Sequence, residues 1–392
     1  MKYKIFNGKV ITPNTILENA SVLIFDGKII GIEEGNEDYS DVIEIDAKGN
    51  YISPGFIDIH LHGGGGADFM DGTVEAFLII AETHARYGTT AMLPTTLTAE
   101  KEDLIATLNA YEIAKTQNNK GSAFLGMHLE GPYFAMSQRG AQDPRFIRNP
   151  DENEYREIIV NYKSIKRWSA APELPGAIVF GKYLVENNIL AAIAHTDAIY
   201  EEAAEAFENG YSLATHFYSA MSGVTRRNAY RYAGVIEACY LIDEMDVEII
   251  ADGVHLPAPL LQLIHKIKGP KRTALITDAI RAAAMPEGES ILGGLKNGTR
   301  IIVEDGVAKM PDRTSFAGSV ATFDRLLRTM LNIAGLPLLD VIQMASLTPA
   351  RIMKIDHSKG SIEIGKDADI VIFDKVINVQ LTMVEGRVVY QK

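Results

Sequence analysis

Eight short apolar runs alternate along the chain with segments of helical length. The runs lie at 55–61, 89–94, 123–129, 166–171, 189–194, 211–216, 247–251 and 273–277. Helical patterns fall between them, for example at 74–87, 100–116, 201–209 and 259–266. This rhythm calls for a parallel sheet, because each crossover helix returns the chain to run in the same direction. Eight such units within roughly 230 residues fit a closed (β/α)8 barrel, with an open doubly wound sheet as the alternative.

The two ends of the chain read differently. Residues 21–25 and 28–32 flank Asp26-Gly27, a two-residue hairpin signal, and 42–46 is another alternating run. Residues 285–320 interrupt the β/α rhythm with glycines and a hairpin, 300–303 and 307–310, about Asp305-Gly306. Two helices are expected near 321–334 and 338–347, and 361–365, 368–373 and 384–389 return to β character. The fold expected is α/β: a TIM-like (β/α)8 barrel over 53–352 beside a small β-sandwich domain built from both chain ends, 1–52 and 353–392.

Composition narrows the partners. At 392 residues and 47% hydrophobic content the chain can bury a large core. A net charge of −13 without a basic run argues against nucleic acid and anionic membrane surfaces. It leaves room for a small anion, since one or two arginines suffice to bind a phosphate. No apolar run approaches the length of a membrane span, and the N-terminus reads as a strand and turn, not a leader. Cys239 is the only cysteine, which excludes an intramolecular disulfide and a thiolate-rich metal site and fits a reducing cytoplasm.

Polar residues stand where the runs end. The first ends in His60-Leu61-His62, whose i, i+2 spacing puts both rings on one face. The third runs through His128 into Glu130-Gly131-Pro132, the fifth ends at His195 and the sixth at His216. The seventh leads to Asp252-Gly253-Val254-His255, and the eighth ends at Asp278. Taken singly, each has a plain structural use as a turn or helix cap, and His128, inside its run, reads as a core histidine. In a (β/α)8 barrel, however, all C-terminal strand ends meet on one face, where active sites sit. A site rich in imidazole, with carboxylates and no thiolate, suits Zn²⁺, and Fe²⁺, Co²⁺ or Mn²⁺ also fit. Metal-activated water with an adjacent carboxylate, for which Asp278 is the choice, points to hydrolysis of a carbonyl or phosphoryl compound.

Over nearly its whole length the chain resembles the amidohydrolase superfamily and, within it, the family of N-acetylglucosamine-6-phosphate deacetylases. The resemblance rests on P-G-F-I-D-I-H-L-H-G at 54–63, H-L-E-G-P at 128–132, A-H-T-D-A at 194–198, T-H-F-Y-S-A-M at 215–221, A-D-G-V-H at 251–255 and T-D-A at 277–279. It implies removal of acetate from an N-acetyl amino sugar phosphate, with Glu130, His195 and His216 holding the principal ion and Asp278 as acid and base. It further implies that His255, Ala141, Gln142, Ser219, Ala220, Phe316, Ala317 and Gly318 meet the substrate. Arg227 would reach the neighbouring subunit's site to bind the phosphate, which implies a homodimer. Family members with H-x-H can hold a second ion, so His60 and His62 imply one or two ions per subunit, with Glu130 bridging. The family usually has Asn in place of Ser219, and an acidic residue and Pro-Gly in place of Asn228-Ala229-Tyr230. Both departures touch the phosphate end and leave the sugar open: N-acetylgalactosamine 6-phosphate or an unphosphorylated sugar are alternatives. A different amidohydrolase and a non-catalytic sugar-phosphate binder are the other readings. The first is disfavoured because, by the resemblance, Glu130 takes the bridging role that many binuclear members give to a carboxylated lysine on strand four, and the second because Asp278 and the metal set are retained.

Overall fold

The computed structural model describes residues 1–35 and 39–392. All eight apolar runs become strands: β1 (Phe56–Leu61), β2 (Thr89–Pro94), β3 (Met127–Glu130), β4 (Ile165–Ala170), β5 (Leu190–Ile193), β6 (Tyr211–Ala214), β7 (Asp246–Ile250) and β8 (Thr273–Ile276). They form a curled parallel sheet in two ladders. One holds β1, β2 and a short piece, Ala123–Phe124; the other runs from β3 to β8 in chain order. The third run is broken because Gly126 takes φ 132, which lets 123–124 pair with β2 while β3 pairs with β4. Backbone hydrogen bonds cross both seams. Thr96 N–H donates to His128 O (3.0 Å), Asp278 N–H to His60 O (2.9 Å) and His62 N–H to Ala279 O (2.7 Å).

The expected helices appear as Val74–Ala85, Lys101–Gln117, Tyr200–Glu208 and Ala258–Lys268, and Glu152–Asn161, Ala177–Glu186 and Val235–Leu241 occupy the remaining crossovers. Their starts are chemically marked: Thr73 Oγ1 accepts from Ala76 N–H, and Asp151 accepts from Asn153 and Glu154 N–H. Alternation along β4 sends Trp168 outward, where it stacks on Tyr133 and meets Phe180 edge-on. Arg167 and Ser169 therefore face the opposite way. Ile59, Leu93, Ala192, Leu213, Ile250 and Ile276 share one buried cluster with Ala350 and Ile352 of helix Leu347–Ile352.

Both chain ends enter one mixed eight-stranded sheet. Its order is Arg387–Gln391, Val379–Val384, Ile370–Phe373, Tyr51–Pro54, Lys2–Ile11, Ile16–Phe25 and Lys28–Glu34, with Ile43–Asp46 beside Lys2–Ile11. The sheet bends round until Ile29 and Ala368 exchange backbone bonds with Lys366 and Gly27, enclosing Ile5, Val22, Ile24, Ile52, Ile370 and Met383. Three local expectations are corrected. Residues 361–365 form no strand. The run 384–389 is two strands, because Glu385 and Gly386 both have positive φ (48 and 75) and make a hairpin turn. The hairpin about Asp305-Gly306 gains a third strand, Gly288–Leu292. Among the described residues no helix is long and apolar enough to cross a membrane.

Candidate metal centre

The strand ends deliver their polar side chains by a repeated device. His195, His216 and Asp278 each lie two residues past the end of β5, β6 and β8, and each takes a left-handed backbone, with φ 47, 32 and 49. Such angles are uncommon outside glycine, and His and Asp tolerate them better than most residues. They turn the chain over the sheet's rim. His60 lies within β1, His62 one residue beyond it, and Glu130 ends β3. All six side chains are buried.

Two groups of ligand atoms result, sharing Glu130. In the first, Glu130 Oε1 is 3.0 Å from His216 Nε2 and 3.4 Å from His195 Nε2, and the two nitrogens are 3.2 Å apart. In the second, His60 Nε2 and His62 Nε2 are 3.3 Å apart, and each is 3.5 Å from a Glu130 oxygen. Asp278 Oδ1 adjoins this second group at 3.1 Å from His62 Nε2 and 3.5 Å from His60 Nε2.

These residues fit a divalent ion. Two ligands about 2.0–2.1 Å from a tetrahedral ion lie about 3.3 Å apart, which is the edge length found in both groups. His195 Nδ1 donates to Gln138 O (2.8 Å); since a carbonyl only accepts, the neutral ring keeps its Nε2 lone pair for the centre. Electrostatics agree. Burial disfavours both carboxylate charges, yet the surrounding imidazoles hold Glu130 well below its ordinary pKa and Asp278 below its own. Burial also opposes a cation at His62, but Asp278 and Glu130 outweigh it and push that pKa up to about 9. The two carboxylates thus call for positive charge at this point.

A cavity of about 350 Å³ opens over the cluster, a size suited to a small metabolite. Its walls include the expected Ala141, Gln142, Ser219, Ala220, His255, Phe316 and Gly318. Gln142 is held at both ends: its Oε1 accepts from Thr98 N–H (2.9 Å) and its Nε2 donates to Glu130 Oε2 (2.8 Å). His255 is fixed by Asp252, whose Oδ2 lies 2.8 Å from Nδ1, and its ring packs on Phe316. Two expected residues are placed elsewhere. Ala317 is fully buried in an apolar cluster with Ile280, Leu292 and Ile301. Arg227 sits exposed on a small hairpin, Thr225–Arg227 with Tyr230–Tyr232, and does not line its own chain's cavity. Among the described residues no lysine or arginine lines that cavity. His128 is a core histidine, as expected, between Thr95 Oγ1 (3.2 Å) and Ser169 Oγ (2.7 Å). Ser137, Gln138, Leu97 and Ser315 also line the cavity and carry no sequence signal. A larger cavity, about 470 Å³, lies behind the shared wall of Leu97, Ala141, Gln142 and Leu292 but contains none of the clustered ligands.

The model of the amidohydrolase family matches residues 51–389. N-acetylglucosamine-6-phosphate deacetylase of Haemophilus influenzae is 34% identical, with 99% of each chain covered. N-acetylgalactosamine-6-phosphate deacetylase of Escherichia coli O157:H7 is 31% identical, with 97% of each covered. Among solved structures, a point mutant of N-acetyl-D-glucosamine-6-phosphate deacetylase from Mycobacterium smegmatis, in complex with N-acetyl-D-glucosamine-6-phosphate, superposes with a TM-score of 0.91 at 28% identity, covering 100% of both chains.

Proposed function

The chain belongs to the amidohydrolase family, and we propose that it hydrolyses the N-acetyl group of N-acetylglucosamine 6-phosphate to glucosamine 6-phosphate and acetate. The observation that carries this reading is the meeting of His62, His195, His216, Glu130 and Asp278 at the floor of one cavity, with His60 clustered against them, in a chain alike end to end to deacetylases of amino sugar phosphates. N-acetylgalactosamine 6-phosphate is the second reading. It is favoured by the Escherichia coli relative, and Ser219 in the cavity wall, where the family usually has Asn, leaves the sugar's identity open.

Glu130, His195 and His216 would hold the principal ion, and His60 and His62, with Glu130, a second; zinc suits this donor set. Bound there, a divalent ion supplies Lewis acidity towards the acetyl carbonyl and makes water a nucleophile near neutral pH. The chain's own residues do the rest. Asp278 accepts a proton from the attacking water at its carboxylate and returns it to the departing amine nitrogen, so that amide and water become acetate and amine. Gln142, clamped by Thr98, fixes the orientation of Glu130. His255, its Nδ1 committed to Asp252, offers its other nitrogen to the sugar end. A 6-phosphate needs a cation that the described walls of the cavity do not offer, and Arg227 of a second copy, on an exposed hairpin, would supply it in a homodimer.

In the same reading, the two parallel ladders and their bonded seams form one closed (β/α)8 barrel over 53–352. The bent terminal sheet of 1–52 and 353–392 forms a small β-sandwich domain. The single Cys239 fits a cytoplasmic enzyme. The test is metal dependence. Stripping the protein with a chelator should abolish acetate release from N-acetylglucosamine 6-phosphate, and restoring Zn²⁺ should return it. Undiminished release from protein shown by elemental analysis to be metal-free would overturn the reading.

A further inference from the structure

Beneath the metal centre lies an ion pair that the hydrolytic reading leaves unused. Arg167 on β4 and Glu248 on β7 are both fully buried in the sheet's interior. The guanidinium meets both oxygens of the carboxylate, with Nη2 at 2.8 Å from Oε2 and Nη1 against Oε1. Its remaining contacts are Thr215 Oγ1 (2.7 Å, from Nη2) and Ile59 O (3.1 Å, from Nη1). Taking two such charges out of water is costly, and apolar residues of similar volume often serve stability as well or better. A buried pair of this kind therefore asks for another reason to be there.

The second neighbour of Glu248 supplies one. Its Oε2 lies 3.7 Å from His60 Nδ1. His60 Nδ1 is buried and has no hydrogen-bond partner. The opposite nitrogen, Nε2, faces His62, Glu130 and Asp278. The ring thus stands between the buried pair and the second group of ligands. Metal-binding histidines characteristically give their other N–H to a carboxylate, which sets the tautomer and ring orientation. The 3.7 Å gap is longer than a hydrogen bond and has to shorten for the bond to form.

We propose that the Arg167–Glu248 pair is the positioning device of the second ion site. Glu248 takes the N–H of His60 Nδ1, which leaves Nε2 as a lone pair aimed at that ion, and Arg167 holds Glu248 charged and in register. The proposal rests on the two-ion reading above. It predicts a selective effect, because neither the His195 nor the His216 ring hydrogen-bonds the pair, whose links to the principal group run through the neighbours Thr215 and Phe217 of His216; His195 Nδ1 is fixed by Gln138 O instead.

The test measures Zn²⁺ affinity, not turnover. Wild type, R167M/E248M and E248Q are stripped and titrated with Zn²⁺ against a competing chelator, with bound metal counted by elemental analysis. R167M/E248M removes both charges together, and E248Q keeps the side chain's shape, so at least one variant is expected to fold; melting curves identify it. The expected result is two ions in wild type, with the weaker-held ion loosened about 10–100-fold in the variants and the tighter one unchanged within about threefold. A mere brace between β4 and β7 would loosen both ions together or neither, and either result overturns the proposal. Wild type that takes up a single Zn²⁺ at saturation overturns the two-ion reading and this proposal with it. Two ions in wild type and two unaltered ions in the variants overturn the proposal alone.

Discussion

Replacing Asp278 with Asn isolates the proton-transfer step from the rest of the site. The main chain has no reason to move. Asp278 N–H donates to His60 O (2.9 Å), its C=O accepts from Ser319 N–H (2.8 Å), and Asn tolerates φ 49 as readily as Asp. The charge lost beside His62 is partly covered by Glu130, 3.5 Å from the same nitrogen. The proposed ligands of the principal ion, Glu130, His195 and His216, are untouched. What disappears is a group that can take a proton and give it back, since an amide does neither near neutral pH. General acid–base catalysis of this kind contributes about 10²–10⁴-fold, or about 2.7–5.5 kcal/mol of barrier. D278N should therefore lose at least about a hundredfold in kcat for acetate release from N-acetylglucosamine 6-phosphate, with KM changed far less. Elemental analysis of the same sample should still find the principal ion. A kcat within about tenfold of wild type would refute the role of Asp278; loss of the principal ion would refute the reasoning that separates it from the ligands.

Subunit sharing of the site has a direct test by mixing. On the proposed assignment R227A would lack the phosphate-binding cation and D278N the acid–base group, so each alone should be nearly inactive. Unfolded together in equal amounts and refolded, they should regain about a quarter of wild-type activity, because half the dimers are mixed and one of their two sites is complete. No recovery, with mixed dimers demonstrated, would place Arg227 outside the neighbouring site. Cys239 is fully buried, and its thiol is pushed up to about 12 by burial. It should resist iodoacetamide at pH 8 in the native protein and react once the chain is unfolded, which mass spectrometry reads directly.

Much of the architecture is legible in the sequence because strands buried on both faces read as continuous apolar runs. Seven of the eight runs became single strands within a residue or two of their expected ends, and the third became two. The polar residues at the strand ends stood out against those runs, and the topology then carried them to one place. What the sequence hid depended on backbone angles and on curvature. Gly126 splits the third run, and Glu385-Gly386 turns an apparent single strand into a hairpin; both are decided by positive φ at one or two residues. Arg167, in Lys166-Arg167-Trp168, reads as a charged strand end, and only its ion pair with Glu248 across the curled sheet shows that it points inward. Glu248 did leave a trace: it is a lone carboxylate inside Val247-Glu248-Ile249-Ile250, and a buried charge demands a partner. The loops of the cavity wall, with Ser137, Gln138 and Ser315, follow no periodicity that would reveal them.

The most direct test of the central claim is acetate release across a panel of N-acetylhexosamines, free and 6-phosphorylated, by protein whose metal content is measured in the same preparation. Metal-loaded protein should release acetate from N-acetylglucosamine 6-phosphate, with the galactosamine epimer reporting what Ser219 permits, and should act poorly on the free sugars. Activity confined to unphosphorylated sugars, or no acetate from any of them with the metal sites filled, would contradict the account.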